Sequence, residues 1–313
     1  MSWRVRAMIS ELGIGFIGAG TLGKGLALGL SQAGYGVGAV ASRTPATAHA
    51  LAAMLPRCRA MEPQGVVDEC DVVFITTPDD AISAVAGSLN WSPGRAAVHC
   101  SGSGTLDLLL PVARMGARCG SLHPFQTFAG IHSPQDALTR FQGITFAVEA
   151  AGWLSEVLEG MARDLGGRAI RLSPESRALY HASAFLSCGL LVGLLRAAAE
   201  LWREAGLSEE EGLRAVLTLA ETTVANVSAL GLDGATTGPV VRGDVDTLRE
   251  HIEELESKAP ELVALYVNLA WASLPAAKGR LNWESINRVG ELLFPLLQQP
   301  AIGAKITGAA CEG

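Results

Sequence analysis

The chain has 313 residues, 49% of them hydrophobic and 18% charged, and a formal net charge of −7 at neutral pH. That length suits two domains with a sizeable core, and an acidic balance without any Lys/Arg cluster argues against nucleic acid as a partner. Six cysteines with no Cys-x-x-Cys pair and no zinc spacing read as reduced thiols, so no metal is expected and the expected compartment is the cytoplasm.

Residues 1–12 carry Arg4 and Arg6 with no apolar stretch behind them, and are expected to be an N-terminal extension rather than a signal or anchor. The apolar run Ile14 to Ile17 then passes directly into Gly18-Ala19-Gly20-Thr21-Leu22-Gly23, which reads as strand, tight turn and helix. In such a dinucleotide loop Gly18 makes the turn, Gly20 lets backbone approach a pyrophosphate, and Gly23 lets the helix lie close to the strand. The helix start at Thr21 and Leu22 turns its N–H groups toward the phosphates. A helix from Thr21 to Ala33 and a strand from Tyr35 to Ala41 complete the unit, and Ser42-Arg43-Thr44 follows. An NAD site carries a carboxylate there to bond the ribose hydroxyl; a cation flanked by two hydroxyls predicts NADP(H) instead.

Helices are predicted over Pro45 to Leu55 and Gln64 to Glu69, then a buried strand from Asp71 that ends in Thr76-Thr77-Pro78. Those three residues either line the ribose and nicotinamide path at the carboxyl edge of the sheet or start the next helix. The strand Ala96 to Cys100 finishes at Ser101-Gly102, where Ser101 can bond a substrate carboxylate or carbonyl. Ala117 to Leu122 delivers His123-Pro124, and His123 is either a pocket residue or a structural histidine in a fixed turn. Ile144 to Val148 and Arg168 to Leu172, around a helix from Gly152 to Leu165, close the sheet. The expected fold class over 13–172 is therefore α/β, a doubly wound parallel Rossmann sheet that binds NADP.

From Ser173-Pro174 onward the strand pattern disappears, and 173–300 is expected to be an all-helical substrate and dimerisation domain. Glu175 to Ala205 reads as one long helix, apolar nearly all round between Ala182 and Trp202, which implies burial against a partner subunit. Its longest run free of charged residues and His, Ala182 to Leu195, has 14 residues, short of the roughly 18–20 that span a bilayer, so no membrane segment is expected. A helix from Glu209 to Leu230 precedes Gly231 to Asp244, which reads as a functional loop. Within it Arg242 either clamps a substrate carboxylate in bidentate fashion or pairs with Asp244. Helices follow over Asp246 to Ser257, Pro260 to Leu274 and Trp283 to Leu297, and 301–313 is expected to be a loose tail.

Taken together, the Gly18-Gly20-Gly23 loop with Ser42-Arg43-Thr44, Cys100-Ser101-Gly102, Gly120 to Pro124, Tyr180-His181, Thr237-Gly238-Pro239 and Arg242-Gly243-Asp244 carry a resemblance. They resemble a bacterial family of Rossmann-like oxidoreductases whose helical C-terminal domain has no assigned function, over about Gly13 to Ala277. That family is similar to the pyrroline-5-carboxylate reductases, the prephenate dehydrogenases and the 6-phosphogluconate and 3-hydroxyisobutyrate dehydrogenases. The resemblance implies an NADP or NAD domain, a helical domain that makes a homodimer, and an active site in the cleft between domains. In one place the chain departs from it: Ser187-Cys188-Gly189 stands where the family carries Ala-Ser-Asn, so the substrate, or activity itself, is expected to differ if that Asn binds substrate.

A hydride from a nicotinamide needs an electrophilic C=O or C=N and a donor for the proton that the heteroatom gains. His181, early in the first helix after the sheet, is the candidate donor, since an imidazole titrates at about 6.5 when unperturbed. Arg177 precedes it by one helical turn on the same stripe. The expectation is an NADPH-dependent reductase of a small keto or imino acid. A pyrroline-5-carboxylate-reductase-like imine reductase and a non-catalytic NADP(H) sensor are the alternatives.

Overall fold

The computed structural model describes residues 12–297. The expected extension, except for Leu12, and the expected tail lie outside the described residues. Two compact units divide between Cys188 and Gly189.

The first unit begins with β1 (Gly13–Ile17), α1 (Thr21–Gln32), β2 (Gly36–Ala41), α2 (Pro45–Ala52), β3 (Arg59–Ala60), α3 (Pro63–Glu69) and β4 (Val72–Ile75). It continues through α4 (Asp79–Gly87), β5 (Ala96–His99), a 3₁₀ turn and α5 (Leu110–Arg114), β6 (Arg118–Pro124), α6 (Pro134–Phe141), β7 (Thr145–Ala150), α7 (Trp153–Asp164) and β8 (Arg168–Arg171). The eight strands form one sheet in the order β3-β2-β1-β4-β5-β6-β7-β8. Its centre is apolar on both faces because the pleat sends alternate residues to opposite sides. Phe16, Val72 and Phe74 join the layer under α1 and α7, whereas Ile17, Val73 and Ile75 join the layer under α3, α4 and α5. Phe16 stacks on Phe74 with ring centroids 5.0 Å apart.

The expected parallel sheet holds from β3 to β6, but β7 runs antiparallel to β6, and β8 follows β7 in parallel. The reason lies in the connection. After β6 the chain does not cross the sheet; it lays Phe128, Ile131 and Phe141 into the core beside Leu26 and Leu30 of α1, with α6 against α1, and returns along the same edge.

Strands end at Arg171, as the pattern predicts, yet the helix that follows, α8 (Arg177–Ser187), belongs to the first unit. Arg177 is 1% exposed and bound to Glu149 of β7, and this anchors the helix there. The single helix expected over 175–205 is thus two: Cys188 leaves helical geometry (φ −127°, ψ −75°) and α9 (Gly189–Glu204) starts the second unit. His181 accordingly sits in the first unit and not in the second domain.

In the second unit α9 lies along α10 (Glu209–Ala235), with Trp202 filling the space that a side chain at Gly212 would occupy. α11 (Pro239–Arg242), α12 (Val245–Lys258), α13 (Pro260–Ser273) and α14 (Trp283–Leu297) enclose a core of Val240, Leu248, Ile252, Val267 and Leu293. The stretch 231–244 is mostly helical rather than the expected loop: α10 continues past a kink at Gly231 (φ 74°, ψ 173°), and α11 follows almost at once. α9 and α10 leave Val192, Leu219 and Val224 about 60% exposed or more. By length and composition Pro174–Glu204 and Glu209–Arg242 could each cross a membrane, and among the described residues their apolar windows are not buried. Both stretches are broken, at Cys188 and at Gly231.

Candidate functional site

The carboxyl ends of β1, β2 and β4 open on a cavity of about 870 Å³, lined among others by Gly18, Gly20, Ser42, Arg43, Thr44, Thr76, Thr77 and Pro78. The glycine loop is shaped by its bonds to neighbouring strands. Gly18 (φ 115°) donates to the Ala41 carbonyl at 2.8 Å, and its own carbonyl accepts from Thr76 Oγ1 at 2.8 Å. A side chain at Gly23 would run into the Gly18 carbonyl and Thr76 Oγ1, so helix and loop touch backbone to backbone.

Thr76 therefore spends its hydroxyl on holding the loop. The Thr77 hydroxyl, by contrast, is buried without a partner, a deficit that a bound ligand would relieve. Space is open where Gly20 would carry a Cβ. Thr44 is the N-cap of α2 but makes no side-chain capping bond, and no acidic residue occupies the first turn of that helix. Arg43, two hydroxyls and exposed helix N–H groups beside a neutral first turn are what a phosphate on the adenosine ribose requires. The residues present thus fit a phosphorylated dinucleotide. His49 and Glu62 share this wall, and nothing in their local sequence singled them out.

On the other side of the glycine loop, at the ends of β4, β5 and β6, lies a cavity of about 460 Å³. Thr21, Leu22, Asp79, Cys100, Gly102, His123 and His181 line it. Here the sequence-predicted His123 and His181 come together, with ring centroids 6.3 Å apart and nearly perpendicular. His123 Nδ1 shares a 2.8 Å hydrogen bond with the Tyr180 hydroxyl. Gly102 allows this arrangement, because a Cβ there would lie 2.5 Å from His181 Cδ2 and 2.8 Å from His123 Nε2. Beneath, Arg177 holds α8 in place: Nε and Nη2 each lie 2.8 Å from Glu149 Oε2, and Nη1 donates to the Ser101 carbonyl at 3.2 Å. Tyr180 and His181 are positioned one turn further along that fixed helix.

Burial, then the neighbouring charges of His181 and Arg177, draw the His123 imidazole down to about 4, so it is neutral at neutral pH. Burial likewise pushes the Tyr180 phenol up to about 12, which keeps its proton in place.

Ser101 differs from expectation. Its hydroxyl donates to Asp79 Oδ2 at 2.5 Å and accepts from the Gly104 N–H at 2.8 Å, and the residue is 4% exposed. With both roles taken, it fixes Asp79 rather than binding a ligand. Asp79 was legible only as a helix-start residue after Thr-Thr-Pro, because its partner stands 22 positions away. Arg242 ends α11 in the second unit, with Nη2 3.8 Å from an Asp244 oxygen. Asp244 in turn caps α12 through the Thr247 N–H. An exposed pair at that distance leaves the guanidinium open to either the loop-fixing or the clamping role.

Residues 13–101 match a family described as NADP oxidoreductase, coenzyme F420-dependent, and residues 144–272 match a domain of unknown function, DUF2520. The chain joins an NADP-oxidoreductase domain to a DUF2520 domain. Solved structures share this pairing of sheet and helices. A protein from Thermotoga maritima is 25% identical over 85% of this chain and 98% of its own, with a TM-score of 0.69. A Bacteroides fragilis protein assigned as an NADP oxidoreductase is 24% identical over 85% and 99%, with a TM-score of 0.68. The 1-pyrroline-5-carboxylate reductase of Streptococcus pyogenes is 17% identical over 85% and 98%, with a TM-score of 0.57. No curated protein matches the chain. The NADP-oxidoreductase match covers the glycine loop, Ser42 to Thr44, Thr76 to Pro78 and Ser101, whereas His123 lies outside both matched regions and His181 falls within the DUF2520 match.

Proposed function

We propose that this protein is an NADPH-dependent reductase acting on the C=O or C=N of a small keto or imino acid. The observation that carries the reading is that a dinucleotide-sized cavity and a histidine-lined cavity flank one glycine loop at one sheet edge. When bound, a reduced nicotinamide supplies the hydride. Gly18, Gly20 and Gly23, with the N–H groups at Thr21 and Leu22, receive the pyrophosphate. Ser42, Arg43 and Thr44 bind the ribose phosphate, and Thr77 and Pro78 flank the remainder while Thr76 holds the loop. His181 delivers the proton to the heteroatom, and neutral His123, braced by Tyr180, orients it. A structural neighbour named for pyrroline carboxylate reduction supports C=N as well as C=O among the substrates.

The test is oxidation of NADPH against 2-oxo acids, cyclic imines, aldehydes and coenzyme F420, with NADH in parallel. Turnover with any organic class and preference for NADPH are expected. Tight NADPH binding without turnover of any of them overturns the reductase in favour of a nucleotide sensor, and turnover with F420 alone makes the deazaflavin the partner. In Arg43→Asp the phosphate loses a charge-assisted contact worth about 1.5–3 kcal/mol and meets a repelling carboxylate. NADPH affinity should fall by at least the roughly 10- to 150-fold this implies, with NADH unaffected; an unchanged ratio of the two dissociation constants removes Arg43 from phosphate recognition.

The exposed apolar faces of α9 and α10 support a homodimer formed through the C-terminal helices. Sedimentation equilibrium should report twice the 32.6 kDa chain mass, and a monomer at micromolar concentration would dismiss that assembly. A cytoplasmic location accords with the free thiols at Cys58, Cys70, Cys100, Cys119 and Cys188.

A further inference from the structure

We infer that the group bound in the second cavity is a cation, an iminium or the amine formed from it, with Asp79 as its counter-ion. This rests on the reductase reading and narrows its substrate to the C=N side, with the cationic group in this cavity and any carboxylate of the substrate outside it.

Of the residues lining that cavity, Asp79 alone belongs to the Asp, Glu, Lys and Arg set. Its position is set from outside the cavity: the Ser101 hydroxyl holds Oδ2 at 2.5 Å, the Gly104 N–H holds that hydroxyl, and Arg177 holds the Ser101 carbonyl. A carboxylate has about four lone-pair sites and Ser101 occupies one, so acceptor capacity remains for an N–H of a ligand. Neither Arg177 nor His123 offsets it. The Arg177 charge is buried and paired with Glu149, and burial keeps His123 neutral. A ligand carboxylate placed here would meet like charge and find the Ser101 hydroxyl already committed. An iminium nitrogen meets its opposite.

In the reaction, hydride from the reduced nicotinamide forms the new C–H bond, the π pair of C=N becomes the nitrogen lone pair, and the nicotinamide is left oxidised. The nitrogen loses its positive charge in that step, and the proton that His181 then delivers restores it as ammonium. Attraction to Asp79 is therefore greatest before hydride transfer and weakens in the transition state, so its loss raises KM and does not lower kcat.

The decisive experiment titrates pyrrolidinium, a cyclic secondary ammonium, into the full-length protein saturated with NADP+, by calorimetry, with neutral cyclopentanone as control. Asp79→Asn should weaken pyrrolidinium binding about 10- to 100-fold, the value of a charge-assisted contact, and leave cyclopentanone and NADP+ unchanged. With a permanently charged N-methyl cyclic iminium as substrate, KM should rise by a similar factor while kcat does not fall. Ser101→Ala keeps the carboxylate but frees it, and should weaken pyrrolidinium several-fold; it serves if Asp79→Asn does not fold. Equal pyrrolidinium affinity in wild type and variant overturns the assignment, as does a 2-oxo acid bound more tightly than pyrrolidinium. Failure of NADP+ to bind at all sinks the reductase reading instead, and is read separately from the pyrrolidinium titration without cofactor.

Discussion

Gly102→Ala is expected to lower turnover by about 100-fold or more while leaving the protein folded and NADPH bound. The added methyl would sit 2.5 Å from His181 Cδ2 and 2.8 Å from His123 Nε2. Both obstacles are the outer atoms of side chains, so the fold yields by swinging the rings aside, at small cost in stability. The proposed proton donor and its neighbour are then displaced by about 1 Å, and misplacement on that scale costs on the order of 100-fold in rate. Steady-state kinetics, thermal melting and NADPH titration of one preparation check this together. Retention of wild-type kcat would show that the His123–His181 arrangement is not used in the chemistry, and a parallel loss of NADPH affinity would shift the role of Gly102 to the cofactor.

The second large effect is on stability. Glu149→Gln leaves the Arg177 guanidinium, 1% exposed, facing Oε1 or a neutral amide in place of a carboxylate. Removing one partner of a buried pair costs about 3–5 kcal/mol because the survivor is desolvated and uncompensated. For a unit of this size each kcal/mol moves the melting temperature by about 2–4 °C, so a fall of at least about 6 °C is expected by circular dichroism. Replacing both, Glu149→Gln with Arg177→Met, should recover much of the loss, since no charge is then stranded. A double variant less stable than Glu149→Gln alone would show that Arg177 contributes chiefly through its bond to the Ser101 carbonyl. Because α8 carries Tyr180 and His181, the single variant should lose activity below its own melting range as well.

The sheet was readable in the sequence wherever local pattern and tertiary demand agree. Ile14 to Ile17, Tyr35 to Ala41 and Val72 to Ile75 are apolar because both faces of those strands are covered, and the glycines at 18 and 23 stand where backbone meets backbone. The direction of β7 was not readable, since strand composition is the same either way and only the path of α6 along α1 decides it. Nor was the break at Cys188, because Ser187-Cys188-Gly189 contains no proline and continues a helical pattern. Within the candidate site the isolated signals, His123 and His181, were found by position along the chain. The roles of Asp79, Gly102 and Glu149 were not legible, because what they do depends on partners far away in sequence: Ser101, two histidine rings, and Arg177.

Every residue named on the walls of the two cavities precedes Cys188, whereas the apolar helices α9 and α10 begin at Gly189. Substitutions on the exposed faces of those helices therefore touch no cavity wall, while the matched domain of 144–272 spans the joint and carries His181 with it.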